Sequence, residues 1–135
     1  LLIFIGSGDT EPMVRKLAVE NKVEEHIVFL GSRDDVNEFY NVFDFFVLPS
    51  RFEGLGIVAV EAQVNGVPSV LSEEIPKNVK INDNVVFAPL NKRNVWIEEI
   101  CAPKTRKDGT DKAREAGYDI LSEARKLEKK YLDMF

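Results

Sequence analysis

The 135-residue chain predicts an α/β fold, a doubly wound parallel sheet of Rossmann-like build. Three observations carry that expectation. About five short apolar runs alternate with segments of helical periodicity. The runs end in Gly, Ser or Pro. The most informative junction, LPSRFEGLGIVAVEAQVNGVP over Leu48 to Pro68, passes from a strand through a glycine-rich turn into a helix that is apolar almost all round.

Leu1 to Ile5 is a continuous apolar run, as a parallel strand covered on both faces would be, and Gly6-Ser7-Gly8-Asp9 turns it into a helix beginning near Thr10. The G-x-G there invites a dinucleotide reading, but Glu11 stands where the third glycine of G-x-G-x-x-G belongs, so a tight strand-to-helix turn is favoured. Val14, Leu17 and Ala18 share one helical face. His26 to Leu30 reads as the second strand, with His26 an ordinary edge histidine, and Arg33 to Asn41 as a short helix.

Phe43 to Leu48 is the third strand, Val67 to Leu71 the fourth and Val85 to Ala88 the fifth. A helix follows from about Asn91, with Val95, Trp96 and Ile100 at core spacing. Lys104 to Gly109 is polar and reads as a mobile loop. Thr110 to Met134 reads as one long amphipathic helix, interrupted in pattern only by Gly117. Its stripe of Ile120, Leu121, Ala124, Leu127 and Tyr131 needs a surface to cover, and packing on this same domain is favoured over a reach to a further one.

A content of 44% hydrophobic and 30% charged residues suits one domain with an ordinary core. The net charge of −5 gives no electrostatic footprint for nucleic acid, and no segment approaches the roughly 18 apolar residues a transmembrane helix needs. Cys101 and His26, the single residues of their types, leave no internal disulfide and no zinc constellation. The lone cysteine agrees with a reducing cytoplasm.

The chemistry concentrates at the Leu48 to Pro68 junction. From Leu55 to Val64, Glu61 is the only charged residue, so it sits on a segment that looks buried and requires a donor of hydrogen bonds. Glu53 lies eight positions earlier, beside Gly54 and Gly56, where backbone can approach a ligand closely. The N–H groups of Leu55, Gly56 and Ile57 would face the same spot at the positive end of the helix dipole, which favours an anion such as phosphate. On residues alone, a structural role for Glu61, satisfied by backbone amides or a neighbouring Arg, is favoured over ligand binding.

Glu53 to Glu61 fits the E-x7-E pattern of the retaining nucleotide-sugar glycosyltransferases of family 4, and LPSRFEGLGIVAVEAQVNGVPSVLS resembles the donor-binding half of their GT-B fold. The EIPKNVKINDNVVF stretch is most similar to members that assemble bacterial capsular polysaccharides and exopolysaccharides. The resemblance implies that residues 1–135 form a C-terminal donor-binding domain, and that an N-terminal acceptor domain is absent from this chain. It implies transfer of a hexosyl group from a nucleoside-diphosphate sugar, most often a UDP-sugar, to a saccharide or lipid-linked saccharide.

By the same resemblance Glu53 contacts hydroxyls of the transferred sugar, and Glu61 accepts hydrogen bonds from the ribose. Gly54, Leu55, Gly56 and Ile57 hold the leaving phosphate, and Gly31, Ser32 and Arg33 contact the nucleobase. No cofactor or metal is implied beyond the donor. A cytoplasmic location is implied, with the full-length protein able to lie peripherally at the inner face of the membrane. The chain alone would bind donor without transferring it. Where many relatives carry a glycine-rich stretch after the fourth strand, this chain has Glu73 and Glu74, which leaves that loop's role open. Two other classes stay in view: a sugar-nucleotide epimerase, and a non-catalytic nucleotide-binding α/β module. A receiver module would need a phosphorylatable Asp ending the third strand, where Leu48-Pro49-Ser50 stand.

Overall fold

Strand pairing follows the apolar runs. The computed structural model describes residues 1–134, and the chain forms two compact units, Leu1–Phe39 and Tyr40–Phe135.

In the first unit, Leu2–Phe4 (β1) and Ile27–Phe29 (β2) pair in parallel, with Ile3 opposite Val28. Between them lies Glu11–Glu20 (α1), opened by Pro12, whose fixed φ and missing N–H suit a first turn. Val36–Phe39 (α2) closes the unit. Phe4 stacks on Phe29 at 5.1 Å between ring centroids, and the Arg15 guanidinium lies 4.0 Å over the Phe29 ring. The expectation that β1 is covered on both faces does not hold: Leu2 and Phe4 are exposed and Ile3 half-buried. A two-stranded sheet with one ten-residue helix has too little apolar surface to cover both faces.

The second unit carries the core. Phe46–Leu48 (β3), Ser69–Ser72 (β4) and Val85–Ala88 (β5) form a parallel sheet in the order β3-β4-β5, with Val47 opposite Val70 and Val70 opposite Val86. All four residues of the central strand are buried. Its two hydroxyls are satisfied locally: Ser69 Oγ donates to the Val67 carbonyl at 2.9 Å, and Ser72 Oγ accepts from the Glu74 amide at 3.1 Å. Ile57–Val64 (α3) supplies Ala59 and Val60 to a cluster with Leu71, Ile75, Val79 and Val85, and each buried valine or leucine contributes about 1.5–3 kcal/mol. Arg93–Cys101 (α4) follows, with the Trp96 indole donating to the Pro89 carbonyl at 2.9 Å.

Two expectations about the C-terminal third are corrected. The segment 104–109 is not a mobile loop but a pinned strap. The Arg106 guanidinium donates to the carbonyls of Asn65, Tyr40, Asn41 and Phe43 at 2.9, 2.8, 3.1 and 2.5 Å. The Lys107 amide donates to Gly66 O at 3.0 Å, and Asn82 Nδ2 donates to Lys107 O. Gly109 runs so close to α3 that a Cβ there would lie 2.3 Å from Gln63 O, so only glycine fits without displacing backbone.

The second correction concerns 110–134, where Thr110–Glu115 (α5) and Ile120–Leu132 (α6) are separate helices. Gly117 stands in the break, and Asp119 caps the new helix by accepting from the Leu121 amide at 3.1 Å. The expectation that the apolar stripe of α6 packs on the same domain also fails, since among the described residues it stays largely uncovered: Ile120 is 81% exposed, Leu121 69%, Leu127 55% and Tyr131 59%. Leu127→Ser is therefore expected to change the unfolding free energy of this chain by less than about 0.5 kcal/mol, measured by urea denaturation.

Candidate functional site

Because β3, β4 and β5 run parallel, the loops after Leu48 and Ser72 leave the same carboxyl edge of the sheet, the edge where open α/β sheets bind ligands. The loop after β3 is held from within. Ser50 Oγ donates to Glu53 Oε1 at 2.6 Å, leaving Glu53 half-buried with Oε2 unengaged among the described residues. Gly56 then turns the chain into α3 at φ +72°, a conformation an L side chain adopts with strain. Among the described residues, the amides of Leu55, Gly56 and Ile57 donate to no carbonyl. They are the orphan donors of a helix start and give it positive potential.

Glu61 departs from expectation. It is exposed, not buried, because α3 is not apolar on all sides in its setting: Ala59, Val60, Ala62 and Gln63 face inward, while Ile57 and Glu61, one turn apart, face out. Its carboxylate therefore needs no compensating cation, and none pairs with it among the described residues. Among the described residues its one donor is the Tyr40 hydroxyl, 3.1 Å from Oε2 and 3.3 Å from the Val58 carbonyl, which leaves Oε1 open to a ligand. The buried polar residue of the helix is Gln63, 0% exposed. Its amide donates to Ala59 O and Val79 O, both at 2.8 Å, and accepts from the amides of Ile81 and Asn82 at 2.9 and 3.0 Å.

The sequence placed Tyr40 inward with Val36 and Phe39, as observed, but its hydrogen bond to Glu61 and the buried role of Gln63 were missed. Helical spacing reports that Tyr40 is buried but not which acceptor its hydroxyl meets. Burial first, then the Glu61 charge and the hydrogen bond to it, raise the Tyr40 hydroxyl well above its ordinary 10.0. The unfolded chain ionises this phenol near pH 10 and the folded chain resists, so the Tyr40 contribution is complete below pH 10 and is lost as pH rises toward the folded value. Tyr40→Phe is expected to flatten the alkaline fall in stability, read from urea midpoints at pH about 8 and about 11.

In the first unit, Gly31, Ser32 and Arg33 follow β2. The Gly31 carbonyl accepts from the Gly6 amide at 2.8 Å, and the Ser32 and Ser7 hydroxyls lie 2.9 Å apart. Arg33 makes a two-pronged pair with Asp35, Nε to Oδ1 at 2.7 Å and Nη2 to Oδ2 at 2.6 Å, and lies 5.0 Å over the Phe39 ring. That pair raises Arg33 and lowers Asp35 from their ordinary values. The guanidinium is thus already committed, while the Ser32 amide and carbonyl stay unengaged among the described residues. On the β4 side, Glu73 and Glu74 are exposed, and Lys77 donates to Glu73 O at 2.8 Å from 3.8 Å over the Phe87 ring. Among the described residues no helix is long and apolar enough to cross a membrane.

Three solved structures share this fold. Sucrose-phosphate synthase from Thermosynechococcus elongatus superposes with a TM-score of 0.76 at 19% identity, over 99% of this chain and 38% of that one. The pneumococcal O-GlcNAc transferase GtfA, in complex with UDP and GlcNAc, gives 0.74 at 18%, over 98% and 29%. HepE of Anabaena, in complex with UDP and glucose, gives 0.74 at 20%, over 97% and 40%. Parallel sheets flanked by helices and this set of neighbours define a Rossmann-like α/β protein of the GT-B class.

The sequence model of the glycosyl transferases group 1 family matches residues 1–102, and the chain belongs to that family. EpsF of Bacillus subtilis (strain 168), a glycosyltransferase by name, is 32% identical over 101 residues, 73% of this chain and 26% of that protein. The Vi polysaccharide biosynthesis protein VipC/TviE of Salmonella typhi is 37% identical over 68 residues, 50% of this chain and 12% of that one. The chain spans about a quarter of the length of EpsF.

Proposed function

We propose that this chain is the donor-binding domain of a retaining glycosyltransferase that moves a sugar from a nucleoside diphosphate to a saccharide acceptor in surface polysaccharide synthesis. The observation that carries the reading is one loop and one helix start, 53–61, presenting two carboxylates with open oxygens on either side of three unengaged amides. A sugar nucleotide has the complementary order of groups: sugar hydroxyls, a diphosphate and ribose hydroxyls. Glu53 takes the hydroxyls of the transferred sugar, the amides of Gly54 to Ile57 take the phosphate, and Glu61 takes the ribose through Oε1. The UDP complexes of GtfA and HepE and the polysaccharide relatives support this reading.

The chemistry assigned to the protein is electrostatic. As the bond from sugar to phosphate breaks, negative charge grows on the departing diphosphate, and preoriented amide donors stabilise it by roughly 3 kcal/mol each. Glu53 orients the sugar and is not assigned as a base, since a leaving phosphate can take the acceptor's proton on the same face. The Arg33 side chain stays with Asp35 and is assigned no ligand contact. The acceptor, a saccharide or a lipid-linked saccharide, belongs to an N-terminal domain, in a protein working in the cytoplasm at the inner face of the membrane.

Calorimetry of this chain with UDP, GDP and the corresponding nucleosides tests the reading. A nucleoside diphosphate is expected to bind at least about tenfold more tightly than its nucleoside, because the amide run recognises phosphate. Equal affinity for the two would remove the phosphate from the site.

A further inference from the structure

Tyr40 is 2% exposed, and its ring is fixed by edge-on packing against Phe43 at 6.0 Å and Phe46 at 6.2 Å. Its hydroxyl has a single proton, and the nearer acceptor, Glu61 Oε2 at 3.1 Å, is also the charged one. Its carbonyl is one of four that accept from Arg106, which joins the Tyr40 to Phe43 turn to Asn65 at the end of α3. The guanidinium therefore clamps the backbone at both sides of the tyrosine's reach: the turn that carries the ring, and the helix that carries its acceptor. Arg106 lies beyond the residues matched by the family, so this clamp belongs to a strap that the family match does not account for.

We infer that Tyr40 is a positioning residue for Glu61, holding Oε2 so that Oε1 points at the ligand, and that Arg106 fixes the turn from which Tyr40 acts. The inference rests on the proposal that Glu61 receives ribose hydroxyls. An exposed glutamate on a helix ordinarily samples several rotamers, and a ligand that needs one of them must select it from that mixture. A donor anchored in the core removes most of that selection before the ligand arrives. The Tyr40 proton is spent on Oε2 in free and bound states alike, and the ribose finds an acceptor already set.

The test is calorimetry on the 135-residue chain with UDP and 2′,3′-dideoxy-UDP, or the guanosine pair if GDP binds more tightly, for wild type, Tyr40→Phe, Arg106→Gln and Glu61→Ala. Thermal unfolding is followed in parallel. Tyr40→Phe keeps the ring packing and is expected to weaken UDP about fivefold, the loss from one hydrogen bond of ordinary strength, with the dideoxy nucleotide unchanged. Arg106→Gln is expected to weaken UDP by about two- to fivefold with the same indifference of the dideoxy ligand. In a Glu61→Ala background, Tyr40→Phe should make no further difference to UDP. Equal loss of both ligands in Tyr40→Phe would make the tyrosine merely structural and overturn the inference, as would unchanged UDP affinity. Wild type binding UDP and dideoxy-UDP alike would instead overturn the ribose assignment of Glu61, and the inference with it.

Discussion

Glu61→Ala is expected to weaken nucleoside-diphosphate binding by about 10- to 100-fold while leaving the unfolding midpoint nearly unchanged. A hydrogen bond to a charged group contributes about 1.5–3 kcal/mol, and a carboxylate facing a ribose can receive one or two. Solvent screening at an exposed position places the sum toward the lower end of that arithmetic. Stability should be spared for the same reason: Glu61 is exposed, among the described residues no cation pairs with it, and its one partner there, the Tyr40 hydroxyl, keeps the Val58 carbonyl at 3.3 Å as an acceptor. Calorimetry paired with urea denaturation separates the two quantities. A variant that binds as wild type does, or one that unfolds several kcal/mol more easily, would show Glu61 to be part of the scaffold.

Gln63→Leu, two residues further along the same helix, is expected to do the reverse and lower the unfolding free energy by about 3–5 kcal/mol. The side-chain amide is wholly buried and uses all four of its hydrogen-bonding positions, three of them to tie α3 to the segment 79–82 and one on the Ala59 carbonyl within α3. Leucine fills a similar volume but leaves the amides of Ile81 and Asn82 and the Val79 carbonyl without these partners, at about 1–3 kcal/mol for each buried group left unpaired. Ile81 is half-buried and can recover part of its loss from water. Against a typical domain stability of about 5–15 kcal/mol, the remainder is a large fraction. Linear extrapolation from urea curves measures it. A loss below about 1 kcal/mol would mean that the segment 79–82 rehydrates freely and that Gln63 does not hold it.

The two residues also show how far the sequence could be read. Alternating apolar runs carried the strands to within a few residues, and Val85 to Ala88 was bounded as observed, because hydrophobic periodicity reports burial directly. The junction at 48–68 was legible because its glycines and carboxylates are needed locally, for a turn at φ +72° and a charge beside it.

What failed is what depends on direction. Glu61 looked buried because its neighbours in sequence are apolar, yet its neighbour in space along the helix is exposed Ile57, and the inward side of the same turn is taken by Gln63. A neutral amide gives no sign in composition that all four of its positions are used. The polar strap 104–109 looked mobile because polarity reads as solvation, whereas Arg106 spends its donors on four backbone carbonyls. The C-terminal stripe was correctly seen as apolar, but periodicity does not say what covers it, and among the described residues it is left largely exposed.

One contact, between Glu61 and a pentose, carries the proposed function. A crystal structure of this chain grown with UDP measures it. Glu61 Oε1 is expected at about 2.6–3.2 Å from a ribose hydroxyl, with the diphosphate over the amides of Leu55 to Ile57. A nucleotide bound with its ribose hydroxyls turned to solvent, more than about 4 Å from that carboxylate, would contradict it.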